Sequence, residues 1–203
     1  MSDLKPLPRD FYAQHATQVA RQLLGATLVR RLPGGGLICA KIVETEAYSG
    51  TDDLASHGRA KRTPRNLPMY GAPGHAYVYL AYGIHWLLNV VAEPVDTPAA
   101  VLIRAVQPLE GIEHIASRQD GRPPYAWTSG PARLTVALSI TGAHNTLDMT
   151  TMAGGLWIAS GEAVPDSAVR TGPRIGLGKR VSEPWLSVPW RWWIAGNPYV
   201  SRA

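Results

Sequence analysis

The chain has 203 residues, 45% of them hydrophobic, and a formal net charge of +5. That length buries a core in one domain, and the hydrophobic content excludes a disordered chain. Its one cysteine, Cys39, excludes an internal disulfide and a cysteine-built zinc site.

The start, Met1 to Pro6, has no apolar signal core, and no apolar stretch reaches membrane-spanning length, so a soluble, cytoplasmic protein is expected. The positive charge favours an anionic partner such as nucleic acid or a membrane surface. Sixteen arginines against four lysines add planar, bidentate phosphate contacts to that expectation. Seven Trp and eight Tyr against one Phe suit surfaces that are both apolar and hydrated.

In chain order, residues 1–10 read as an irregular arm. Ala16 to Leu24 reads as a helix with Val19, Ala20, Leu23 and Leu24 on one face and Gly25 as its stop. Ala26 to Arg31 and Leu37 to Tyr48 read as strands joined by a glycine turn, the second apolar enough to be central. Residues 49–74 form a long loop rich in Gly, Pro, Arg and Asn; pinned by strands at both ends, it reads as functional. His75 to Ala81 and His85 to Ala92 form a hairpin turning at Tyr82-Gly83. Ala100 to Val106 is a further strand. Helices are predicted over Leu109 to Ser117 and over Pro131 to Ile140, the latter with Ser129 as N-cap and Gly142 beyond its end. Short strands follow at Leu156 to Ala159, Arg174 to Leu177 and Arg191 to Ala195. Many strands and few helices, not alternating, predict an α+β fold: one domain with a curved, mainly antiparallel sheet.

Four features could carry chemistry. Glu46 stands where a buried strand opens into the long loop, a position that suits a general base; Glu44 shares its face. Ion pairing with nearby arginines is the competing reading of both. Tyr82 breaks the period-two pattern of Tyr77 and Tyr79 and falls at a turn. There it either projects as a wedge that unstacks bases or packs sideways on a neighbouring loop. Arg59, Lys61, Arg62, Arg65 and Asn66 either line a phosphate backbone or form a solvated surface. Arg104 ends an apolar run and therefore needs a carboxylate or a bound polar ligand, with Glu46 a natural partner. The six histidines lack metal-ligand spacing. Neither a phosphate-binding glycine loop nor a serine-hydrolase elbow is present, so no cofactor and no metal are expected.

Together these segments resemble the alkyladenine, or methylpurine, DNA glycosylase family from about Ala20 to Ser201. The motifs that carry the resemblance are Ala20 to Gly25, Glu44 to Tyr48, Thr63 to Asn66, Tyr77 to Tyr79 with Tyr82-Gly83, Leu102 to Ala105, Ser129 to Pro131, Arg174 to Gly176 and Gly196 to Ser201. The resemblance implies excision of a damaged purine flipped out of double-stranded DNA. Nothing in the sequence demands an oligomer, so a monomer with no required protein partner is expected. It implies that Glu46 is the base that holds the attacking water, with Arg104 and the main-chain carbonyl of Ile175 beside it. It implies a base pocket of Tyr48, His57, Tyr79 and Asn89. Tyr82 is implied as the intercalating wedge, with Met69 packed beside it and Arg65 on the DNA backbone. Arg62 and Ile84 belong to the same DNA-facing set. Ile84 and His85 depart from the apolar–aromatic pair expected after the wedge. No lysine sits beside Glu46 in sequence, so hydrolysis without strand cleavage is expected. A damaged-DNA binder that has lost turnover is the competing class.

Overall fold

The computed structural model describes residues 4–59, 61–119, 121–179 and 181–201. In chain order it contains α1 (Arg9–Tyr12), α2 (Ala16–Gln22), β1 (Thr27–Arg31), β2 (Leu37–Ser49), β3 (Ala76–Ala81), β4 (His85–Val91), β5 (Ala99–Glu110), α3 (Ile112–Ala116), α4 (Pro131–Ala137), β6 (Leu156–Ala159), β7 (Val169–Gly172) and β8 (Arg191–Ile194). The strands form one open antiparallel sheet of order β3-β4-β5-β2-β1-β6, with the β7–β8 hairpin joined to the second half of β2. The architecture is α+β, as the element pattern predicts.

β2 is the hub. Its first half pairs with β1, its second half with β8, and β5 runs beside it throughout. On one face, Ile38, Ala40 and Ile42 meet α2 and α4 in the main core, joined by Val78, Leu88, Val90, Val101 and Ile103. Strict alternation would put Glu44 and Glu46 on that same apolar face. They are not there, because the register with β5 slips between Ile42 and Glu44 and slips back between Glu44 and Thr45. The extra residue on β2 inverts its alternation. Thr45 and Ala47 now face α2, where the Thr45 hydroxyl donates to Ala20 O (2.8 Å). Glu44, Glu46 and Tyr48 turn to the opposite face, with Arg104 of β5 and with Tyr77, Tyr79 and Asn89 of the β3–β4 hairpin. The site thus occupies one face of the sheet and the helix-packed core the other.

Several predicted elements are corrected. The arm is not wholly irregular: Pro6 bridges Ala159, Leu7 N–H donates to Ile158 O (2.8 Å) and Arg9 opens a short helix; residues 1–3 lie outside the described residues. The helix predicted from Leu109 begins only at Ile112, because β5 continues to Glu110. The chain turns at Gly111, where φ is +71° and a Cβ would lie 2.2 Å from Leu37 O. Ser129 is not an N-cap. Gly130 stands there without a side-chain cap, and Ser129 Oγ accepts from Arg133 Nη1 (3.1 Å). α4 ends at Ala137, ahead of Ser139 at φ +52°, and Gly142 opens a 3-10 turn. Arg174 to Leu177 is not a strand; the strand is Val169–Gly172, and Ile175 gives its N–H to a side chain rather than to a ladder. The long loop holds two 3-10 turns, His57–Arg59 and Leu67–Tyr70.

Among the described residues, no helix is long and apolar enough to cross a membrane. Cys39 is buried against Trp157 and Val29, and burial beside Glu110 pushes its thiol up to about 11.

Candidate active site

The two carboxylates brought together by the bulge are held differently. Glu44 is saturated: Oε1 accepts from Arg104 Nε (3.1 Å), Arg191 Nη1 (3.2 Å) and Ser201 Oγ (2.9 Å), and Oε2 from Ser201 N–H (2.7 Å). It ties the C-terminal segment to the sheet. Glu46, also fully buried, has Arg104 Nη1 3.2 Å from Oε1 and accepts from Ile175 N–H on Oε1 (2.7 Å) and from the Tyr48 hydroxyl on Oε2 (2.8 Å).

Burial pushes the Glu46 carboxyl above the usual carboxylate range. Arg104, the Ile175 N–H and the Tyr48 hydroxyl pull it back, and Glu44 adds to the rise. Burial also works against the Arg104 charge, but Glu46 and Glu44 outweigh it and hold the guanidinium protonated. A carboxylate so placed is a stronger base than a solvated one, and the donors aimed at it favour its ionised form against the effect of burial.

Above Tyr48 lies a cavity of about 340 Å³ lined by Tyr48, His57, Tyr77, Tyr79, Asn89 and Met69 among others, with Gly176 to Gly178 along its rim. Its walls are aromatic. Tyr77 and Tyr79 lie 5.2 Å apart and tilted by 33°, and the His57 ring stands edge-on to Tyr79 at 4.6 Å. His57 Nδ1 shares a hydrogen bond with the Tyr77 hydroxyl (2.8 Å); burial, with Arg65 and Arg59, lowers the imidazole and keeps it neutral. Asn89 Nδ2 donates to Tyr77 O (3.0 Å), fixing its amide in the wall. Burial also raises the Tyr79 phenol, to about 12, with Glu46 contributing. The rings that line the slot are neutral, and Arg65 joins them in its lining. Glu46 does not itself line the cavity; Tyr48, which does, donates its hydroxyl to Glu46 Oε2.

At the cavity mouth, Tyr82 is 87% exposed and Ile84 70%. Tyr82 has φ +51° and Gly83 φ +73°, and Ile84 N–H donates to Ala81 O (3.1 Å), the pattern of a type I′ hairpin turn. A tyrosine in that region is strained, and its exposure shows that the ring projects rather than packs on a neighbouring loop. The sideways-packed alternative for Tyr82 is therefore overturned.

The basic loop divides. Arg65 stacks over Tyr79 (5.5 Å), donates to Leu80 O (3.0 Å) and lines both this cavity and a neighbouring groove shared with Arg59 and Lys179. Arg62 is engaged by Asp96 (2.6 Å) and lies over Tyr70. Asn66 is buried and unavailable to a ligand: Oδ1 accepts from Thr63 N–H (2.7 Å) and Nδ2 donates to His57 O (2.8 Å). Met69, expected on the DNA beside the wedge, is instead 2% exposed in the cavity wall. Ile175, expected to contribute its carbonyl, meets Glu46 with its N–H.

Three participants escaped the sequence reading. Tyr77 could have been found, since it shares the face of Tyr79. Arg174 stands in a family motif but nothing in the sequence pairs it with Asp53: their ion pair spans 121 residues (Nη1–Oδ2 2.6 Å) and both side chains are wholly buried. Among the described residues, no group of His, Cys, Asp and Glu is arranged to hold a metal ion.

The sequence profile of the family described as methylpurine-DNA glycosylase matches residues 10–198. A protein of Methanocella arvoryzae is 47% identical over 97% of this chain and 96% of its own length. One of Myxococcus xanthus is 45% identical over 97% and 93%, and one of Salinibacter ruber 40% identical over 98% of both. All three are named "Putative 3-methyladenine DNA glycosylase". With identity of this order running almost end to end through the carboxylate strand, the aromatic hairpin and the C-terminal segment, the chain belongs to the methylpurine-DNA glycosylase family.

Proposed function

We propose that the protein excises alkylated or deaminated purines from double-stranded DNA, by hydrolysis of the N-glycosidic bond and without cutting the strand. The observation that carries this reading is Glu46. It is a buried carboxylate raised by desolvation and held by Arg104, Ile175 and Tyr48, and Tyr48 itself lines the aromatic cavity of about 340 Å³.

In this reading Tyr82 and Ile84 enter the helix and fill the gap left by the flipped nucleotide. The purine stacks between Tyr48, His57 and Tyr79, each stacking contact contributing about 1–3 kcal/mol. Asn89, tethered to Tyr77 O, cannot swing aside for the extra amino group of a normal guanine. Met69 shapes the wall behind the slot. Arg65 takes the DNA backbone, with Arg62 a weaker contributor because Asp96 already holds it.

Glu46 accepts a proton from a water whose oxygen bonds to C1′. The C1′–N bond breaks, its electron pair leaves with the purine, and an abasic sugar remains. The Ile175 carbonyl is the remaining acceptor for that water, and Arg104 keeps Glu46 ionised. Cationic lesions such as 3-methyladenine and 7-methylguanine leave as neutral bases, whereas hypoxanthine and ethenoadenine also take up a proton. No lysine lines the slot among the described residues, in keeping with hydrolysis rather than Schiff-base chemistry. The protein needs no partner and acts as a monomer.

The test is excision of 3-methyladenine, hypoxanthine and ethenoadenine from labelled duplexes, with alkali to reveal abasic sites. Alkali-dependent cleavage that Glu46→Gln abolishes supports the reading. Lesion binding with no release from any duplex replaces it with a damage-binding role.

A further inference from the structure

The segment that supplies the Ile175 N–H has no strand to hold it, so something else must fix it to within hydrogen-bond tolerance of Glu46. The segment begins beyond the end of β7 at Gly172, and the neighbouring Arg174 is buried and anchored by its side chain. The guanidinium grips Asp53 with both nitrogens (2.6 and 2.8 Å), donates to Ala47 O (3.0 Å) and to Trp185 O (3.2 Å), and lies over the rings of Tyr48 (4.8 Å) and Trp190 (5.2 Å). Asp53 in turn takes the N–H of Ala55, which lines the slot, through Oδ1 (2.9 Å). One ion pair therefore ties together the end of β2, the start of the long loop, the Tyr48 ring and the C-terminal segment. Arg174 Nε is buried without a partner among the described residues, so hydrogen bonding is incomplete here while position is over-determined. Buried ion pairs are poor sources of net stability but demanding in geometry.

We propose that the Arg174–Asp53 pair is a positioning device for the base, setting the Ile175 N–H against the Glu46 carboxylate and the Tyr48 hydroxyl against its other oxygen. The inference rests on the reading of Glu46 as the base. The groups that face Glu46 are Arg104, Glu44 and Tyr79, which make no direct contact with the pair, and the Ile175 N–H and the Tyr48 hydroxyl, which the pair positions, Arg174 lying over the Tyr48 ring. Loosening the pair weakens donors that favour the ionised carboxylate, so Glu46 should then take up a proton at higher pH.

Two variants of the full-length protein test it. Asp53→Asn keeps the shape and removes the charge; Arg174→Lys keeps the charge and removes the fork. The Ile175 amide, followed by nuclear magnetic resonance through a pH titration, reports Glu46 directly and needs no turnover. Its midpoint is expected to move up by about one pH unit in either folded variant. The acid limb of single-turnover excision should move the same way, with about a tenfold loss of rate at neutral pH and unchanged affinity for undamaged duplex. A midpoint that stays at the wild-type value overturns the proposal, whatever happens to Tm, because a merely structural pair lowers Tm without moving the titration. If the midpoint moves while wild-type protein excises no purine, the positioning stands and the reading of Glu46 as a base falls.

Discussion

Arg104 serves two carboxylates at once: Nε donates to Glu44 Oε1 at 3.1 Å while Nη1 lies 3.2 Å from Glu46 Oε1. The two acids are two residues apart on one strand and equally buried. One is saturated with donors, and the other keeps capacity to accept a proton. This asymmetry separates a structural group from a reactive one and gives opposite expectations for the same substitution.

Glu44→Gln should destabilise strongly. It strips the carboxylate from Arg104, Arg191 and the Ser201 amide together, and removing one partner of a buried pair costs about 3–5 kcal/mol. At about 2–4 °C per kcal/mol for a chain of this size, thermal unfolding should fall by roughly 10 °C.

Glu46→Gln should abolish excision and leave stability at neutral pH equal or higher. The folded-state carboxyl is raised, so the stability linked to it is complete below the unfolded carboxyl's titration and is lost as pH rises through the folded one. At neutral pH the native acid therefore carries that cost and Gln does not, with Arg104 still held by Glu44. Melting curves of the two proteins should converge as pH falls below the carboxylate range. A neutral-pH Tm for the variant well below wild type would mark Glu46 as structural.

The same raised carboxyl sets the pH profile. Excision should decline as pH falls through a midpoint above that of a free glutamate, since the protonated acid cannot take a proton from water. Tyr48→Phe, which removes one donor to Glu46 but keeps the ring, should move that midpoint further up. Single-turnover rates across pH check both.

Tyr82→Asn should weaken binding to lesion-bearing duplex by about ten- to a hundredfold, as loss of one stacking ring implies. It should not lower Tm, because the ring is exposed and asparagine tolerates the left-handed backbone that strains tyrosine. Unchanged affinity would remove Tyr82 from the DNA interface.

Arg65→Gln and Arg62→Gln look equivalent in sequence and should differ in effect. Arg65→Gln should reduce the slope of log affinity against log salt by about one, and Arg62→Gln by much less, because Asp96 already neutralises Arg62. Binding isotherms at several salt concentrations measure both slopes.

The legible parts of the molecule were those governed by local period. The hairpin, β2 and the prediction that Glu44 and Glu46 share a face all follow from alternation. The face itself does not, since a one-residue slip at Val43 decides between core and site and leaves no trace in composition. The turn at Gly111 and the failure of Arg174 to Leu177 to form a strand depend on partners distant in the chain, Leu37 O and Glu46, which no window of sequence contains. Asn66 shows the converse: a loop asparagine among arginines reads as a ligand contact, yet all its capacity goes to holding the backbone of His57 and Thr63.

The buried thiol of Cys39 has a practical consequence. With its pKa near 11 and its side chain shielded beneath Trp157, it stays inert to thiol-reactive dyes at neutral pH. A cysteine introduced at Ile84, beside the exposed tip of the hairpin, is then the one position such a dye reaches. Its emission would follow the tip into and out of a double helix in real time, separating the moment of insertion from the later breakage of the glycosidic bond.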